Sequence, residues 1–128
     1  MLHAPAIMYP ALELIGAIGK IPGFPPEARE IAILATGSVY QCEYKLYSHE
    51  RIAAADTGLT APQIEAVKAG KKPSGADALN GHCEVAFDVA IELATKKGPM
   101  SETNWKRTVT AFGYEGAAVL IQYCALYA

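Results

Sequence analysis

Residues 30–49 read EIAILATGSVYQCEYKLYSH, and their periodicity decides the fold class. Ile31, Leu34 and Ala35 stand at i, i+3 and i+4, the spacing of a buried helical face. Further on, Cys42, Lys45 and His49 stand at i, i+3 and i+7. At about 100° per residue these three share one side of a helix, so a thiol, an amine and an imidazole gather on one stripe. Between the two sets, Gly37 and Ser38 weaken the helical pattern. The spacing predicts a helix from about residue 26, a kink or break at 37–41, and a second helix over about 41–57. Gly58 is expected to stop that helix as its C′ residue.

Outward from this pair the chain keeps the same period. Upstream, residues 9–19 read as a short helix, with Leu14, Ile15 and Ile18 on its apolar side and Pro10 in its first turn. The PGFPP run at 22–26 is a rigid loop. Glu27 and Glu30 then fall in the first turns of the next helix, where carboxylates favour the positive end of the helix dipole. Downstream, Thr60, Pro62 and Gln63 make a helix start, with Thr60 as cap and Gln63 reaching back as in a capping box. Ile64 and Val67 face inward there, and Gly70 ends the helix. KKPSGAD at 71–77 is a polar connection. Residues 77–97 form the longest candidate, with Ala86, Val89, Ala90 and Leu93 in one stripe that Phe87 and Ile91 widen. Gly98 and Pro99 break it. Ser101 caps a helix whose inward side is read as Trp105, Val109 and Phe112. Gly113 and Gly116 bracket a turn, and the last helix carries Ala117, Leu120, Ile121 and Cys124 on one face. No stretch alternates with the period of a strand. The expected fold is all-α, six or seven helices in a single domain over residues 1–128.

Composition narrows the function. A chain of 128 residues is long enough to bury its own core. Apolar residues are 52% and charged residues 19%, high and low respectively for a soluble domain, which points to apolar surface covered by other subunits. A net charge of −2 offers no basic footprint for nucleic acid. The most apolar segment, 116–121, is far short of the roughly 18 residues of a membrane helix. The N-terminus lacks a basic n-region and Glu13 interrupts its apolar stretch, so no signal peptide is expected. Cys42, Cys83 and Cys124 are scattered, without CxxC or His/Cys metal spacing. That fits reduced thiols in a cytoplasmic protein and no metal or cofactor.

The stripe itself carries chemistry. A free thiol is only a few per cent thiolate near neutral pH, and an ammonium or imidazolium beside it raises that fraction. A bland reading stands next to this one. A single helix cysteine is commonly a small buried hydrophobe, and a helix lysine is commonly a snorkelling one. His82, Cys83 and Glu84 are adjacent in sequence, but adjacent residues on a helix point apart. Tyr40, Tyr44 and Tyr47 read as packing residues, with one available to offer a phenol to a pocket.

Several features together resemble the carboxymuconolactone decarboxylase family, which includes the AhpD-like alkyl hydroperoxidases. They are Arg29-Glu30-Ile31 opening a helix, His49 nineteen residues after Glu30, and ADTGLTAPQI at 55–64. The long helix after residue 77, SETNW at 101–105, and Phe112-Gly113-Tyr114 are similar as well. The resemblance implies an all-helical AhpD-like bundle that assembles as a homo-oligomer, a trimer or hexamer. In the AhpD-like members a glutamate, a CxxC pair and a histidine carry the redox chemistry. These fall on Glu30, Cys42 and His49, but the second cysteine falls on Lys45, where many other members carry glutamate. Without a thiol at that position Cys42 cannot close a local disulfide.

The expectation is therefore a thiol-dependent, peroxidase-like antioxidant enzyme acting on a small molecule. Cys42 would react, His49 would relay the proton, Glu30 would orient His49, and an external thiol would restore the enzyme. Lys45 would bind an anionic substrate or steady the thiolate. The alternatives are a decarboxylase of a carboxylated lactone or related small acid, and a non-catalytic oligomeric helical protein.

Overall fold

Every regular element is a helix because every apolar stripe has helical period. The computed structural model describes residues 3–128. In order, it has α1 (Pro5–Gly19), α2 (Pro26–Tyr40), α3 (Glu43–Asp56), α4 (Ala61–Lys68), α5 (Gly81–Thr95) and α6 (Glu102–Tyr127), with one 3-10 turn at Gly75–Asp77. No strand occurs among the described residues. This is the expected all-α class, with six helices in one domain.

The centre is the pairing of α2 with α5. Residues 31–37 of α2 are all buried, and α3, α4 and α6 also pack on this helix. The α5 stripe of Ala86, Val89 and Ala90 lies in the same core as Ile31, Leu34, Val67 and Leu120. A second, smaller cluster joins Ile18, Ile33, Val119 and Tyr123. A helix buried along so much of its surface reads as an unbroken apolar run rather than a stripe, as 31–35 does.

Several boundaries differ from those read in the sequence. The first helix starts at Pro5, not residue 9, because the Ala4 carbonyl accepts from both Ile7 and Met8. Pro10 therefore lies inside α1. The α2 helix runs through Gly37 and Ser38 and breaks only at Gln41, which adopts a left-handed conformation (φ 53°). Gly37 is accommodated because α3 approaches there: a Cβ at this position would stand 3.2 Å from Leu46 Cδ2. The next helix ends at Asp56 with Thr57 as its cap, so Gly58 stands at C′ as read, but it is not left-handed, and the Thr57 hydroxyl donates to the Ala53 carbonyl at 2.6 Å. Asn80 caps α5 by accepting from Cys83 N–H, so that helix begins at 81 rather than 77. The Thr60–Gln63 capping box forms as read.

Two faces were misassigned. Trp105 is exposed, and Thr108 takes the buried position. The inward side of early α6 is polar because Asn104 and Ser101 turn toward the buried carboxylate of Glu92. Ser101 N–H and Oγ donate to Glu92 at 2.9 and 3.0 Å, and the Asn104 amide donates as well. Tyr40, Tyr44 and Tyr47, read as packing residues, are exposed. Gly113 breaks the helical path of α6 (φ 71°, ψ 178°), where a turn was expected. The expectation that no segment approaches a membrane helix also needs adjusting. By length and composition α6 is apolar enough to cross a bilayer, although it packs on α2 and α5 and is interrupted at Gly113.

Candidate functional site

The centre of the site is the Glu30 carboxylate, on the side of α2 that faces α3. It is 1% exposed, and burying a carboxylate is costly unless both oxygens are satisfied. Here both are. Arg29 Nε donates to Oε1 at 2.9 Å, and His49 Nδ1 lies 2.8 Å from Oε2. A carboxylate only accepts, so Nδ1 carries the hydrogen. In the neutral imidazole, Nε2 is then left with its lone pair. Gly37 helps to make this distance possible, since its missing side chain lets Leu46 bring α3 against α2.

The end of α6 completes the group. The Tyr127 ring meets the His49 ring edge-on, with centroids 5.0 Å apart at 88°. Lys45 Nζ donates to the Tyr127 carbonyl at 3.0 Å and lies 5.5 Å from the centroid of its ring. This places a cation at the carbonyl end of a helix, where the dipole favours it. Electrostatics follow the same grouping. Burial opposes the charge on Arg29, but Glu30 and then Tyr123 together offset it and the guanidinium is held above its ordinary value. Burial first, then the Glu30 carboxylate, push the Tyr127 phenol up.

The expected stripe of three divides. Lys45 and His49 turn toward Tyr127 and Glu30. Cys42 is the N-cap residue of α3, and its thiol hydrogen-bonds to none of Glu30, Lys45 or His49. Seven residues separate it from His49, an axial rise of about 10 Å. It is nonetheless the most accessible thiol, because Cys83 and Cys124 are buried. Burial, with Glu27 adding to it, pushes the Cys83 thiol up to about 12. Burial likewise pushes Cys124 up to about 11. Neither is a thiolate at neutral pH.

Sequence reading missed Arg29 as a site member and Tyr127 altogether. Arg29 adjoins Glu30, so its place was open to inspection. Tyr127 lies 78 residues from His49, and no local pattern signals that contact. Among the described residues no three His, Cys, Asp or Glu side chains gather as metal ligands would. A cavity of about 230 Å³ between α2, α5 and α6 is lined by Thr36, Ala90, Ile121 and Cys124 among others. Glu30, Lys45 and His49 do not line it. Comparisons with protein-family models, with curated proteins and with solved structures find no match for the chain. The family resemblance therefore stands on the residues quoted for it.

Proposed function

We propose that the chain is an enzyme of the carboxymuconolactone decarboxylase kind in which His49 is the general acid–base group for a small, carboxylated substrate. The observation that carries this reading is the 2.8 Å bond from His49 Nδ1 to the buried Glu30 carboxylate. It orients the ring, sets its tautomer and leaves Nε2 to exchange a proton. In a decarboxylation, the carbon–carboxylate bond breaks, CO2 leaves, and the electron pair spreads onto an adjacent carbonyl oxygen. Nε2, which takes up a proton from solvent, delivers that proton to the carbon and returns to its neutral form. Lys45 has three donors, one of them spent on Tyr127, and its ammonium suits the charge that develops on that oxygen.

A second reading rests on a different observation: Cys42 is the one cysteine of three that is not buried. In this reading the Cys42 thiolate attacks a peroxide oxygen and the O–O bond breaks. The alkoxide leaves as alcohol after taking a proton, and Cys42 becomes a sulfenic acid. Two equivalents of an external thiol then restore it, forming water and a disulfide. His49 and Glu30 serve as relay and orienter. Unpaired thiols suit either reaction in a reducing, cytoplasmic setting.

One set of variants separates the readings. The substrates are a carboxylated muconolactone on one side, and tert-butyl hydroperoxide with dithiothreitol on the other. Acid–base catalysis predicts that His49→Gln lowers lactone decarboxylation by about 10²- to 10⁴-fold while Cys42→Ser leaves it unchanged. The peroxidase reading predicts peroxide turnover that Cys42→Ser abolishes. Decarboxylation unaffected by His49→Gln would sink the first reading.

A further inference from the structure

The last turn of α6 enters the site from the far end of the chain. Tyr127 is half-buried and packs against the cluster of Ile18, Ile33, Val119 and Tyr123, which anchors its ring. The other side of the ring system meets His49 edge-on at 5.0 Å, an arrangement aromatic pairs favour. The carbonyl of the same residue is bound by Lys45. The imidazole of His49 makes one hydrogen bond, to Glu30. One bond leaves a ring free to tilt about it, whereas a bond and an aromatic edge together define its plane. The Tyr127 hydroxyl takes part in none of these contacts.

We propose that Tyr127 is a positioning residue for His49. Its ring sets the plane of the imidazole, and its carbonyl, held by Lys45, keeps the last turn of α6 in place. This rests on reading His49 as the working group and deepens it, because Nε2 is useful only if its direction is fixed. The role belongs to the ring and the backbone, so Phe suffices at this position and an aliphatic residue does not.

The test reads His49 itself by ¹⁵N NMR of the imidazole, on the full chain and without substrate. The intact protein is expected to show the neutral ring protonated at Nδ1 and bare at Nε2, and Tyr127→Phe to keep that pattern. Tyr127→Leu retains apolar volume in the cluster and is expected to keep the tautomer that Glu30 sets but to increase the motion of the imidazole ring, read by relaxation of its signals, at an unchanged melting temperature. Tyr127→Ala adds a second measure if it folds, and Leu carries the test if it does not. Lys45→Met unties the carbonyl and is expected to increase the same motion. Unchanged ring motion in Tyr127→Leu, or the same added motion in Tyr127→Phe, overturns the ring's role. Unchanged ring motion in Lys45→Met overturns the carbonyl's. Because no turnover is measured, these outcomes are independent of whether any substrate assay succeeds.

Discussion

Two buried glutamates show how partners decide a residue's role. Glu30 is satisfied by groups that can themselves be charged, Arg29 and His49. Glu92 is satisfied mainly by neutral donors, Ser101 and Asn104. The first arrangement can pass a proton, while the second only fastens the turn between α5 and α6. The Asn104 amide above all, with Ser101, holds the Glu92 carboxyl below its ordinary value near 4.5. A carboxyl with a depressed folded-state pKa stabilises the fold above its unfolded value, and that contribution is lost as pH falls through the folded one. Glu92→Gln is therefore expected to lower the melting temperature at pH 7. The gap to the parent protein should narrow as pH drops below about 4.5, read by thermal melts across pH. A gap constant with pH would show that Glu92 contributes nothing as a charge. The partners of Glu30 were partly legible, Arg29 by adjacency and His49 through the family resemblance, whereas nothing around Glu92 pointed to Ser101 and Asn104.

At the scale of elements, the approach of α3 to α2 and the break in α6 both depend on glycine. Gly37 gives α3 room for Leu46, which brings His49 within reach of Glu30. Gly113 holds φ 71° and ψ 178°, a region essentially closed to residues with a Cβ. Gly113→Ala is expected to cost about 1–3 kcal/mol, measured by urea denaturation. Open space around its Cβ assigns that cost to the backbone, so an unchanged midpoint would mean that α6 straightens without penalty. Both glycines were legible as irregularities in sequence, the first as a weakened pattern and the second as a turn. Their effects were not equally legible. A glycine that breaks a helix and one that admits a neighbouring helix look alike until the neighbour is known, and α2 runs on through Gly37.

At the scale of the molecule, α1 stands apart. Its residues are apolar on nearly every side, yet only Ile18 is buried. Ile7, Tyr9, Leu12 and Leu14 are exposed at 66%, 64%, 53% and 44%. A helix apolar all round is normally covered. It is a surface that the homo-oligomer implied by the family resemblance, a trimer or hexamer, would cover. Light scattering is expected to give three or six times the 13.6 kDa of one chain. Glutamate at both Leu12 and Leu14 should lower that mass without loss of helical signal. A parent protein that scatters as a monomer would remove the proposal.

The sequence by itself determined the helical class, most helix starts and the central stripes. These follow from local chemistry: a 3.6-residue period, capping side chains such as Thr60 and Ser101, and glycine or proline at the breaks. It also brought Glu30, Cys42, Lys45 and His49 under suspicion. Only the tertiary structure decided which of the stripe residues meet. Glu30 and His49 bond across two helices, Lys45 ties to the end of a third, and Cys42, at the cap position of α3, hydrogen-bonds to none of them. Contacts between residues 19 or 78 positions apart depend on how whole helices pack, and packing is settled by the summed burial of many side chains. No periodicity around Tyr127 encodes that its ring will rest against His49.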